Sequence, residues 1–76
     1  MIGYQAFYAC ASLTQMALPN SLTSIGNRAF YDCIKLNNIT FKGTAEQWAA
    51  VVKGTYWNYN VPASAVICTN GRVQIL

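Results

Sequence analysis

Apolar residues fall at Ile2, Ala6, Phe7, Cys10, Leu13, Met16 and Leu18, and again at Ile25, Ala29, Phe30, Cys33, Leu36, Ile39 and Phe41. The second set repeats the first at a spacing of 23 residues. With residues 2–18 set against 25–41, seven of 17 positions are identical: Ile, Gly, Ala, Phe, Tyr, Cys and Leu. Identity concentrated at apolar sites with a fixed period predicts two stacked coils, since one coil alone cannot bury its apolar side. The end of each copy reads Leu-x-x-Φ-x-Φ, where Φ is apolar. Its last two apolar positions alternate with polar ones, which predicts a strand. Met16, Leu18, Ile39 and Phe41 then face inward. Thr14, Gln15, Ala17, Asn37, Asn38 and Thr40 form an open face, joined by Ile67 if a later strand continues the ladder.

Pro19 and Asn20 end the first strand. Leu22 and Ile25 turn the chain inward, with Gly26 allowing a bend. Ala29 permits close approach on the return side and Phe30 fills the core. Cys10 and Cys33 occupy equivalent places on adjacent coils, about 4.8 Å apart along the ladder. Their side chains point the same way, which favours two free thiols over a disulfide.

The 23-residue pattern is not visible after Phe41. Thr44 and Gln47 form a capping-box pair, Glu46 sits in a first turn, and Lys53 and Gly54 follow as a last turn and a stop. This punctuation predicts a helix over about 44–53, with Trp48, Val51 and Val52 on one apolar face. Asn70-Gly71 between alternating runs predicts a hairpin over about 65–75, with Cys68 opposite Val73 and Val66 opposite Ile75.

The phrase I-G-x-x-A-F-x-x-C-x-x-L-x-x-[I/M]-x-[L/F] resembles the BspA-type leucine-rich repeat. The resemblance covers about residues 2–41, and "FKGTAEQWAAV" resembles the element that ends such arrays. It implies an α/β solenoid: a short right-handed stack of coils, with a helix and β-hairpin as a C-terminal cap. Residues 1–41 are then two repeats, the first truncated, and 42–76 the cap. The resemblance also implies a bacterial, secreted or surface-exposed protein that binds proteins or host surfaces, as in adhesion. The first coil lacks a preceding strand, so the chain reads as the end of a longer array, or self-associates through its uncapped N-terminal coil.

Composition narrows the chemistry. The chain is 54% hydrophobic and 9% charged, which excludes a disordered chain. Its five basic residues are scattered, which is not a nucleic-acid footprint. The longest apolar run, Trp48 to Val52, is far too short for membrane insertion. There is no histidine and no C-x-x-C among the three cysteines, so no metal or cofactor is expected. Asp32 and Glu46 are the only acidic side chains, and each has a structural place, so no catalytic residues are assigned. The alternative functional readings are a purely structural capping module and a carbohydrate-binding module. The latter would use an aromatic site at Tyr56, Trp57 and Tyr59. Tyr8 and Tyr31 are expected to stack as a packing ladder.

Overall fold

A computed structural model describes residues 1–75. The alternating residues of the two copies form strands β1 (Gln15–Leu18) and, after the short β2 (Ser24–Ile25), β3 (Asn38–Phe41). Helix α1 (Ala45–Ala50) follows, then β4 (Val52–Lys53), β5 (Ala65–Cys68) and β6 (Gly71–Gln74). β1, β3 and β5 lie side by side in parallel, and β6 closes that sheet antiparallel to β5. β2 and β4 pair in a second, two-stranded parallel sheet, with Ile2 bridged to Ile25.

The ladder aligns the two copies: Gln15 lies opposite Asn38 and Leu18 opposite Phe41. A third turn follows. Lys53 lies opposite Ile25, and Val66 opposite Ile39. The spacing from the second turn to the third is therefore 28 residues at β2 and 27 at β3. The helix is an insertion within that turn, and the winding resumes after it.

Between the sheets runs a return side that is neither strand nor helix. Its amides alternate in direction. Ala6, Tyr8 and Cys10 donate to Gly3, Gln5 and Phe7 within their own turn. Gln5, Phe7 and Ala9 donate across the stack to Asn27, Ala29 and Tyr31. Arg28, Phe30 and Asp32 donate in the same way to Thr55, Trp57 and Tyr59, at 2.8–3.0 Å. This alternation needs left-handed backbone at two places per turn: Gln5 and Ala9, Arg28 and Asp32, Tyr56 and Asn60, with φ from 54 to 62°.

The bends therefore do not sit at Gly26, as its sequence position implies, because Gly26 has no positive φ. Gly26 serves close approach instead. A Cβ there would lie 2.6 Å from the Tyr4 amide nitrogen and 2.7 Å from the Gly3 carbonyl carbon. Both are backbone atoms of the neighbouring turn and cannot move aside.

The interior is a column. Phe7 stacks on Phe30 at 5.1 Å and 2°. Trp57 meets the Phe30 ring edge-on at 6.3 Å, and Trp48 packs on both Trp57 and Phe41. Phe30, Leu36, Ile39 and Val66 are fully enclosed. Burying a side chain such as Phe30 contributes roughly 1.5–3 kcal/mol. The first-turn equivalents Ile2, Phe7, Leu13 and Met16 are only partly buried. All three cysteines are free thiols, and Cys33 Sγ donates to the Phe7 carbonyl at 3.0 Å.

The helix keeps its predicted start but stops early. Thr44 and Gln47 form the reciprocal capping box. The chain turns extended at Val51, which is buried, whereas Val52 is exposed and pairs in β4. The β-branched pair Val51-Val52 favours extended backbone. The Val52 amide donates to the Thr23 carbonyl, so the ladder outcompetes another helical turn. Lys53 lies beyond the helix but still satisfies its end. Its ammonium donates to the Trp48 and Val51 carbonyls at 2.9 and 2.8 Å and sits 4.7 Å over the Trp48 ring.

The hairpin also differs from its predicted register. Cys68 lies opposite Gly71 and Val66 opposite Val73, so the turn is Thr69-Asn70. The Thr69 amide donates to the Gly43 carbonyl, and Asn70 grips the helix start. These ties place the turn, and Gly71 takes φ 149° as the first residue of β6. Because the slip is two residues, every side chain keeps its predicted face.

Ala9 carries a Cβ at φ 55° where the later turns have Asp32 and Asn60. Left-handed backbone costs a residue such as alanine roughly 1–2 kcal/mol, and asparagine tolerates it better. Ala9→Asn is expected to raise stability by about 0.5–1 kcal/mol, read from the urea midpoint. A lowered midpoint would contradict the assigned backbone.

Candidate functional site

The outer side of the four-stranded sheet carries exposed polar residues from adjacent strands. On β1, Gln15 and Ala17 are exposed; on β3, Asn38 is exposed and Thr40 half-buried. Alternation along each strand points these residues outward while Leu18, Ile39 and Phe41 go inward. The register aligns them in two rows. Gln15 sits beside Asn38, and Ala17 beside Thr40, which neighbours Ile67. Thr14 and Asn37 are exposed just ahead of the strands, joined by a 3.1 Å bond from the Asn37 amide to the Thr14 carbonyl. All six residues assigned from the sequence thus lie together.

Gln15, Met16, Ala17, Asn38 and Thr40 line a shallow concavity of about 320 Å³. Two side-chain amides and one hydroxyl offer it donors and acceptors without charge. β6 widens the surface: Arg72 lies opposite Ile67, and Gln74 opposite Ala65. The strand alternation places Arg72 on the open face, a cation the initial set of six lacked. The alternating run after Gly71 carries that information once its turn is located.

The aromatic group is arranged differently. Trp57 is core, 8% exposed, so it presents no platform. It stands at the place of Ala29, and its indole covers Phe30. Tyr56 and Tyr59 are exposed on the return side. Tyr8, Tyr31 and Tyr59 form a stacked column at 5.1 and 4.8 Å. Tyr56 meets Tyr31 and Tyr59 edge-on, and the Arg28 guanidinium lies 5.8–5.9 Å from the Tyr31 and Tyr56 rings. A sugar ring stacks on an aromatic face. Here those faces are largely taken by neighbouring rings.

Among the described residues, no three His, Cys, Asp or Glu side chains come together in a metal-binding group. No helix among them is long and apolar enough to cross a membrane. Burial pushes the Cys33 and Cys68 thiols up, away from the reactive thiolate. Burial also raises the Tyr31 phenol, with Asp32 adding to the effect.

The family model described as "BspA type Leucine rich repeat region (6 copies)" matches residues 1–51. The match spans the first two turns and the whole of α1. No curated protein and no solved structure matches the chain.

One carboxylate couples the helix to the hairpin turn. Asn70 Oδ1 accepts from the Ala45 amide at 2.8 Å, and Asn70 Nδ2 donates to Glu46 Oε1 at 3.1 Å. The bond from Asn70, with backbone donation, holds the Glu46 carboxyl below the usual carboxylate range. A depressed folded pKa stabilises above the unfolded pKa and loses that contribution as pH falls through the folded one. Glu46→Gln is therefore expected to flatten the acid limb of the stability–pH profile. An unchanged acid slope in thermal melts between pH 7 and pH 3 would contradict it.

Proposed function

Because the chain belongs to the BspA-type leucine-rich repeat family, whose repeats form solenoid-like folds and commonly mediate protein interaction, we propose that it is a non-enzymatic protein-interaction module. Its partner surface is the open ladder face: Thr14, Gln15, Ala17, Asn37, Asn38 and Thr40, extended by Ile67 and Arg72. The observation that carries this reading is that four of them, Gln15, Ala17, Asn38 and Thr40, line one uncharged concavity on a continuous sheet. Such a face suits a polar, uncharged protein segment, whose amides it can hydrogen-bond. Family members are typically surface-exposed or secreted. We place this chain there too, as the terminal part of a bacterial repeat protein engaged in adhesion to a protein or host-surface ligand.

Residues 42–76 take a second role in this proposal, closing the array as a cap. The ties between α1 and the β5–β6 turn favour it, as does β6 covering the edge of β5. A purely structural capping module would have these ties and no ligand. The carbohydrate-binding reading loses its central residue with Trp57 buried.

Asn38→Arg places a charge in the middle of the concavity at an exposed position. It is expected to abolish capture of the surface partner in pull-down experiments while leaving the melting temperature within a few degrees. Binding that survives Asn38→Arg but depends on Tyr56 and Tyr59 would move the site to the return side. Absence of any partner for the wild-type chain, with aggregation of a longer array lacking residues 42–76, would favour the structural reading.

A further inference from the structure

We infer that Tyr31 and Tyr59 form a site of oxidative cross-linking, which joins the second and third turns by a carbon–carbon bond between their rings. The return side carries Tyr4, Tyr8, Tyr31, Tyr56 and Tyr59, every tyrosine of the chain. Within this group Tyr31 and Tyr59 are the closest pair, with ring centres 4.8 Å apart and planes 18° from parallel. The backbone holds them there. The Asp32 amide donates to the Tyr59 carbonyl at 2.9 Å, which keeps equivalent residues of the two turns side by side. Tyr56 meets the same two rings edge-on and further off, at 6.4 and 5.6 Å. Tyr8 stacks on Tyr31 at 5.1 Å.

Access favours the same groups. Tyr59 is exposed and Tyr31 half-buried. The indoles of Trp48 and Trp57 and the thiols of Cys33 and Cys68 are buried. A one-electron oxidant arriving from solvent therefore meets phenols before those groups. The site lies on the return side, away from the ladder face, and does not depend on what that face binds.

The oxidant is a peroxidase supplied with hydrogen peroxide. Each phenol gives up one electron and its hydroxyl proton, leaving a phenoxyl radical with spin on the ring carbons beside the oxygen. One such carbon of Tyr31 bonds to one of Tyr59, as the exposed Tyr59 ring tilts towards its neighbour. The hydrogen on each bonded carbon is then lost to water, and each oxygen regains a proton, which restores both phenols. The protein loses two hydrogens in total, and one peroxide is reduced to two waters. Rings already held in contact couple faster than rings that must first meet by diffusion. The bond closes residues 31–59 into a covalent ring, which restricts the unfolded chain as a disulfide does.

Treatment of the dilute chain with peroxidase and hydrogen peroxide, followed by mass spectrometry, tests this. The expected product is a monomer lighter by two hydrogens, with dityrosine fluorescence and a melting temperature above that of the untreated chain. Trypsin should then release residues 29–35 joined to 54–72; Tyr31 is the only tyrosine in the first peptide, and the second contains Tyr56 and Tyr59. Tyr59→Phe keeps a ring in the stack without the phenol, and is expected to abolish the joined peptides. Tyr56→Phe is expected to leave them. The same treatment in concentrated urea, where the turns no longer hold the rings together, should give far less of the joined pair. Oxidised protein without that pair overturns the inference. So does a pair that persists in Tyr59→Phe, one that forms equally well in urea, or a joined monomer that melts no higher than the untreated chain.

Discussion

Backbone amides directed along the stack hold this molecule together. On the return side, alternate residues bond within their turn and across to the next, and this alternation sets the backbone at every position. It imposes left-handed φ twice per turn, even on residues with a Cβ. It also brings adjacent turns so close that Gly26 lies against Gly3 and Tyr4 without room for a methyl group. The Phe7–Phe30 stack and the tyrosine column follow, because equivalent residues are placed in contact by the same bonds. Side-chain burial supplies most of the driving force, but the amides set the spacing at which the rings meet.

The two-copy core was legible because the 23-residue period places identical apolar residues in both turns. The six ladder residues were legible for the same reason: strand alternation assigns faces without knowledge of exact pairing. The third turn was legible only in its ladder strand, where Val66 continues the place of Ile39, and its return side was hidden. An insertion containing α1 interrupts the period, and the return-side residues diverge where they matter most. Trp57 replaces Ala29 and Asn58 replaces Phe30 in the aligned register. Gly54 and Tyr59 retain the pattern, too few to stand out. The shorter helix and shifted hairpin turn were hidden for another reason. Both depend on contacts distant in sequence, from Val52 to Thr23 and from Asn70 to Ala45, which local propensity cannot register.

The two ends of the stack differ physically, and that difference organises the surface. At one end, α1 is tied to the β5–β6 turn and Trp48 packs against Phe41 and Trp57, with Lys53 satisfying the carbonyls where the helix stops. At the other, Phe7, Leu13 and Met16 remain partly open and the β1 edge is unpaired. The ladder face runs between them, nearly uncharged until Arg72. Its chemistry is that of amides and hydroxyls in register, which suits recognition by hydrogen bonding. Membership of a repeat family accounts for the periodic part of this surface. The helix lies within the residues the family model matches, and the third turn extends beyond them.

The central claim is that residues 53–68 form a third turn sharing one interior with the first two. Scalar couplings across hydrogen bonds, measured by NMR on uniformly labelled protein, examine it bond by bond. The account predicts resolved couplings from the Arg28, Phe30 and Asp32 amide nitrogens to the carbonyl carbons of Thr55, Trp57 and Tyr59. Absence of all three couplings, with those amides exchanging as fast as exposed loop amides, would contradict it.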